Sequence, residues 1–214
     1  MNDFPEIETI RKKVLEIADL ARRSIRISVK ALMNRHSGLC DQVKEIEKET
    51  DFINVETEDK CLEVLASHEL PAKLFRFVAA SIDISSRFER IADLAVEICE
   101  YCIRGLPKPI PEPSFDTQKM GKIFEDMIDI DIEALSRDAM VSVEKLRNKE
   151  NDMKQLYEKI HANFVSYVHK HPESFDDAIL LLKIASALER AGELTCKIAN
   201  RIVYAVEGRR IWLG

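Results

Sequence analysis

Glycine and proline are scarce in this chain, at 6 and 7 of 214 residues, and there is a single tryptophan. Turn-rich β sandwiches need far more chain-reversing residues than that, so an all-β architecture is excluded on composition. The 5 cysteines are an odd number without the spacing of a disulfide framework. Cys99 and Cys102 do form a CxxC, but it lies in a helical pattern with no second pair to complete a zinc site, and the two read as small buried hydrophobes. Long apolar runs are missing as well: the longest, Ala178 to Leu182, falls far short of the roughly 20 residues that span a bilayer. The start, Met1-Asn2-Asp3-Phe4-Pro5-Glu6, is acidic where a signal peptide is basic and then apolar, so a cytoplasmic location is expected. There is no glycine-rich phosphate loop, nucleophile elbow or zinc-protease string. With a net charge of -6 and no dense basic run, nucleic acid is not an expected partner. The acidic bias points to cations or basic partners.

What remains is 46% apolar and 33% charged residues, the profile of long amphipathic helices, and the chain is read as all-α. It is also a tandem repeat. Ser86-Arg87-Phe88-Glu89-Arg90-Ile91-Ala92-Asp93-Leu94-Ala95 returns one hundred residues later as Ser186-Ala187-Leu188-Glu189-Arg190-Ala191-Gly192-Glu193-Leu194-Thr195. Packing alone accounts for the shared apolar positions. A polar Glu-Arg pair kept in both copies implies that each half presents the same surface chemistry.

Apolar steps of three and four mark six helices. The first runs from Ile7 to about Arg35 through Ile10, Val14, Ile17, Ala21, Ile25, Ser28 and Leu32, and His36-Ser37-Gly38 ends it. The second, about Asp41 to Ser67, takes Asp41 as its N-cap and carries Ile46, Thr50, Ile53, Thr57 and Val64 on one stripe. The third, from beside Pro71 to about Arg104, has a coiled-coil-like seam including Phe77, Ile84, Phe88, Ile91, Ala95 and Ile98, on the order of 50 Å long. Residues 107–115, rich in proline, form a linker between a first three-helix unit (1–106) and a second (116–208). In the second unit, Met120 to Val143 form the fourth helix. Asp152 to Val168 lie in the fifth, which ends at His171-Pro172. The sixth runs from about Ser174 to Val206. Only Arg147-Asn148-Lys149, with neither Gly nor Pro, offers a turn between the fourth and fifth, and the alternative is that the two run together as one helix. Gly208 closes the sixth and leaves a basic, aromatic tail, 209–214.

Carboxylates four apart share a helix face. Glu89 and Asp93 form such a pair on the outward side of the third helix, and Glu47 and Asp51 another on the second. Antiparallel packing of these helices would bring four carboxylates together, a set of oxygens suited to Mg²⁺, Mn²⁺, Ca²⁺ or iron. In the second half Asp152, Glu189 and Glu193 repeat the arrangement, with Asn148 standing where Glu47 stood. The alternative is a solvated face held by ordinary i,i+3 salt bridges such as Arg90 to Asp93 or Arg190 to Glu193. A ferritin-like di-metal enzyme is disfavoured, because it needs two Glu-x-x-His strings and the chain has one, Glu158 to His161. His169 and His171, two apart at a helix end, cannot share a face and read as capping or solvated groups.

The strings Phe88-Glu89-Arg90-Ile91-Ala92-Asp93 and Leu188-Glu189-Arg190-Ala191-Gly192-Glu193 resemble the repeated Glu-Arg-Ile-Gly-Asp signature of the PhoU family of phosphate-transport regulators. Glu47 to Asp51 is similar to the family's acid-xxx-Asp motif, and Arg76 falls on the arginine of its Asp-Leu-Arg segment. The resemblance covers nearly the whole chain. It implies two tandem three-helix bundles in a cytoplasmic, homodimeric regulator that couples a phosphate transporter to a sensor histidine kinase, and that reaches the membrane only through such partners. It further implies surface iron or zinc held by Glu47, Asp51, Glu89 and Asp93 in the first bundle and by Asp152, Glu189 and Glu193 in the second. Leu74 in place of the family's Asp, Ser174 and Asp176 in the second copy of that segment, Asn148 for an acid and Glu193 for Asp mark a distant branch. Two other readings stay open: a carboxylate-bridged metal-dependent enzyme on a helical bundle, and a metal-free helical adaptor for another transporter.

Overall fold

A computed structural model describes residues 5–34, 36–104 and 114–213. Six long helices fill them: α1 (Pro5–Asn34), α2 (Gly38–Ser67), α3 (Ala72–Ile103), α4 (Ser114–Arg137), α5 (Val143–Lys170) and α6 (Phe175–Glu207), with a 3-10 turn at Pro172–Ser174 before α6. The expected linker at 107–115 lies outside the described residues up to 113, and Ser114 and Phe115 already belong to α4.

Two helix ends depart from the spacing-based reading. Gly38 does not stop a helix but begins α2, so Asp41 sits within the first turn and is not the cap. The break between α4 and α5 falls at 138–142 rather than at Arg147-Asn148-Lys149, and Val143 starts α5. No glycine or proline marks this break because Asp138 itself takes the left-handed conformation, at φ 49°. The Ala139 N–H then closes on the Ala134 carbonyl at 3.0 Å, a Schellman ending. The Asp138 carboxylate holds the turn by accepting from Lys73 Nζ at 2.7 Å, with Arg11 3.8 Å away. Gly208 ends α6 as expected, at φ 76°, and a Cβ there would come within 3.2 Å of the Arg76 guanidinium.

The seam residues form the core, with Phe88, Phe124 and Phe164 among the largest fully buried side chains. Most buried hydroxyls are satisfied within their own helices: Ser24, Ser28, Thr57, Ser81 and Thr195 each donate to a carbonyl three or four residues back, while Ser85 on α3 donates across to Asn54 Oδ1 on α2. Among the described residues α2 packs only on α1 and α3, and α5 only on α4, α6 and the 3-10 turn. The two bundles meet where α3 lies on α6 and α1 on α4. Aligning buried residues of α4 with those of α1 (Met120 on Ile17, Phe124 on Ala21, Ile128 on Ile25) places Glu125 on Arg22 and Asp129 on Arg26. Arg22 in fact pairs with Asp129 at 2.6 Å and Arg26 with Glu125 at 2.9 Å. The two repeats thus meet through one interaction used twice, with the cations on α1 and the acids on α4.

The same alignment sets Asp131 where the first bundle has Ser28. Asp131 is fully buried, and among the described residues neither of its oxygens has a partner. Burial alone pushes its carboxyl well above the ordinary range, so it folds as the neutral acid. A group whose pKa is raised on folding stabilises fully below its unfolded value, and that contribution is lost as pH rises toward the folded value. Asp131 therefore makes the chain less stable with rising pH above about 4, by up to about 1.4 kcal/mol per pH unit. Asp131→Ser, whose hydroxyl can bond as Ser28 does, should flatten this slope and raise stability at pH 7. Urea unfolding at pH 5 and pH 8 checks both.

Candidate metal centre

Four residues of chain join α2 to α3, so the helices lie side by side and antiparallel. Glu47 and Asp51 on α2 face Glu89 and Asp93 on α3. One carboxylate oxygen from each of Glu47, Asp51 and Asp93 lies within 4.8 Å of the others. Glu89 is the fourth member, close enough for Asp93, Asp51 and Glu47 all to act on its charge. Burial first, then Asp93 and Asp51, pushes the Glu89 carboxyl up to about 7, with Arg90 pulling the other way. Burial and neighbouring acids also raise Glu47 and Asp93.

Four like charges meet here, and among the described residues none of the four is in a salt bridge. Oxygens bound to one hard cation at 2.0–2.6 Å stand roughly 3–5 Å apart, so this donor set fits a cation. The site is open. Asp51 and Asp93 are exposed and Glu47 and Glu89 half-buried, on the outward flank as the seam predicted. Such a shallow face lacks the closed pocket with proton-transfer groups that a metal-dependent hydrolase or oxidase requires.

The second bundle is built differently. Glu189 and Glu193 do come together on α6, and burial with Glu193 raises Glu189. Aligning α5 with α2 by buried residues (Leu146 on Val43, Met153 on Thr50, Ile160 on Thr57) puts Glu150 on Glu47 and Lys154 on Asp51. Asp152 is not brought to the site. It lies about 200° round the helix from Lys154, on the exposed flank. The α5 groups acting on Glu189 are Lys154 and Glu158. Lys154 Nζ donates to the buried Glu150 carboxylate at 2.6 Å, and Lys197 stands 3.5 Å from Glu193. An ammonium group thus occupies the place of an acid, so this half carries its own cation. The α2-to-α5 offset is 103 residues whereas α3-to-α6 is 100; a single offset for the whole repeat misses Glu150 and Lys154, and the buried stripe of α5 would have revealed them.

Other sequence candidates stay structural. Cys99 is buried and Cys102 nearly so, and burial pushes the Cys102 thiol up to about 12 and Cys99 higher still, which keeps both protonated and inert. Glu158 and His161 lie on the exposed side of α5, not toward a bundle interior. Arg76 sits beside the end of α6 at Gly208, where a cation suits the helix dipole.

Against known proteins, the model of the PhoU domain matches residues 14–102 and again 117–202, one match per bundle. The phosphate-specific transport system accessory protein PhoU homolog of Archaeoglobus fulgidus is 27% identical over 207 residues, 96% of this chain and 95% of that one. Its namesake from Deinococcus radiodurans is 22% identical over 205 residues, 96% of each chain. The crystal structure of PhoU from Pseudomonas aeruginosa superposes with a TM-score of 0.87 at 21% identity, covering 96% of this chain and 99% of that one, which shows the shared fold.

Lys154→Met takes the cation from the buried Glu150 carboxylate and leaves it only the Cys196 thiol. The loss should be about 1–3 kcal/mol, and Glu150→Gln in the same chain should recover most of it. Denaturant unfolding of the single and double variants checks the pair.

Proposed function

Since the chain belongs to the PhoU family, we propose that it is a non-enzymatic accessory regulator of phosphate uptake, acting by protein contact. The observation that carries this reading is that the domain match recurs in both bundles and that relatives named as phosphate-transport accessory proteins align over nearly the full length. Its partners in this reading are components of a phosphate transporter or a sensor histidine kinase, and it works as a homodimer. No helix among the described residues is long and apolar enough to cross a membrane, in keeping with a protein that reaches the bilayer through those partners. Removing the gene should raise phosphate uptake in phosphate-replete medium, and restoring it should bring uptake back. Unchanged uptake would sink the regulatory reading.

The same reading assigns a metal ion, iron or zinc, to Glu47, Asp51, Glu89 and Asp93. Its support is the convergence of unpaired carboxylate oxygens from two helices. When bound, the ion neutralises those charges. Glu89 and Asp93 supply the α3 oxygens, while Glu47 and Asp51 supply those of α2. In the second bundle Lys154 and Lys197 already serve this purpose, so metal is assigned to the first bundle alone.

Elemental analysis of protein purified without chelators should find metal in the wild type and in Glu189→Ala/Glu193→Ala. It should find none in Glu89→Ala/Asp93→Ala, with helical content intact in all three. A metal-free wild type, or metal retained by the α3 double variant, removes the assignment and leaves the regulatory reading untouched.

A further inference from the structure

We infer that the outer face of α2 is a docking surface for a cationic amphipathic helix of a partner protein. This rests on the reading that the chain acts by protein contact and names the chemistry of one contact. α2 packs on α1 and α3 through Thr50, Ile53 and Thr57, and among the described residues no other element packs on its outer side. On that open side Phe52 is 64% exposed, Val55 58% and Leu62 51%. Spacings of three and seven put them on one strip about 15 Å long, some 200° round the helix from the buried seam. Exposed Ala66 continues the strip. A Phe, a Val and a Leu in line form a second amphipathic face on a helix that already has one.

Charge selects the occupant. α2 carries nine of the chain's 38 acids and three of its 32 cationic residues, a balance of -6. The chain as a whole is also -6, so 29 acids and 29 bases cancel everywhere else. The entire net charge of the protein therefore sits on one outer helix. Asp59 lies within the strip, between Val55 and Leu62, and Glu49, Asp51, Glu58 and Glu63 are the exposed acids that flank it. A second copy of this chain would set -6 against -6, and an anionic bilayer is repelled in the same way. The complementary surface is a helix with apolar residues at heptad spacing and lysine or arginine beside them.

The probe is a fluorescent peptide of about three heptads with leucine at the two core positions and lysine elsewhere. Controls are the same composition shuffled to abolish the stripe, and a version with glutamate for lysine. The full-length wild type should bind the patterned peptide at least about tenfold more tightly than the shuffled one, and the glutamate version not at all. Phe52→Ser/Val55→Ser/Leu62→Ser, all at exposed positions and checked for helicity, should lose that preference. Glu58→Gln/Asp59→Asn should weaken both lysine peptides and reduce their salt dependence, while Val165→Ser on the outer side of α5 should change neither. Equal binding of patterned and shuffled peptides, or a preference that survives the triple substitution, overturns the inference. So does conversion of a dimer to monomers by the triple substitution in light scattering, since the strip would then be a self-interface. Uptake in the gene-deletion strain does not depend on α2, so failure here and failure of the regulatory reading are separate results.

Discussion

The contact from which the rest of the architecture follows is α3 against α6. Each of these third helices is packed within its own three-helix unit and again across the boundary, so its apolar surface is used on several sides. That requirement explains the unbroken seams from Phe77 to Ile98 and from Leu181 to Ile202, where a helix serving one neighbour would need only a single stripe. It also fixes what is left outside. With α1 on α4 closing the other half of the boundary, α2 and α5 are excluded from it, and among the described residues each has one buried face and one that no other element packs on.

Duplication makes two surfaces that begin alike, and the ion pairs show how they were made to differ. On α1 and α4 a pair of positions was divided into Arg22 and Arg26 on one repeat and Glu125 and Asp129 on the other. On the third helices Asp83 pairs with Arg201 and Glu97 with Arg190. Their counterparts under the 100-residue offset are Lys183, which lies over the Tyr101 ring, and Lys197, which stands beside Glu193. Opposite signs facing each other favour the union of unlike repeats over that of two identical ones. The carboxylate faces diverged by the same means: Lys154 in the place of Asp51 turns an unbalanced cluster into a paired one.

The sequence was legible wherever a regular period governs a long segment. Helix number, the two seams and the outward position of Glu47, Asp51, Glu89 and Asp93 all follow from steps of three and four, because 3.6 residues per turn leave little freedom over thirty residues. It was illegible where one residue decides. Asp138 ends α4 without glycine, since a left-handed aspartate tethered by Lys73 is a tertiary event that composition does not announce. Asp131 reads as an ordinary surface acid until its neighbours are known. Glu150 and Lys154 were missed and Asp152 misplaced because setting Asn148 on Glu47 is two residues out of register on α5, and two residues turn a side chain by about 200°, sufficient to exchange an acid on the site for one on the flank.

With the proposed cation site and the proposed docking strip on one helix, a consequence for regulation follows. Asp51 is a member of the carboxylate cluster and the neighbour of Phe52, so a divalent ion at the cluster changes the field in which a basic helix would dock. At a separation of about 8 Å in high dielectric, a double charge acts on a single one with about 1 kcal/mol, and physiological salt reduces this further. Several basic residues on the partner restore the total to roughly that value, a fewfold change in affinity. Linkage makes the effect mutual: a cation weakens the basic partner by the same factor by which the partner weakens the cation. No movement of the bundle is needed, because both ligands draw on the charge of one helix. The second bundle lacks this property, as Lys154 has already spent the negative charge that a cation would have met.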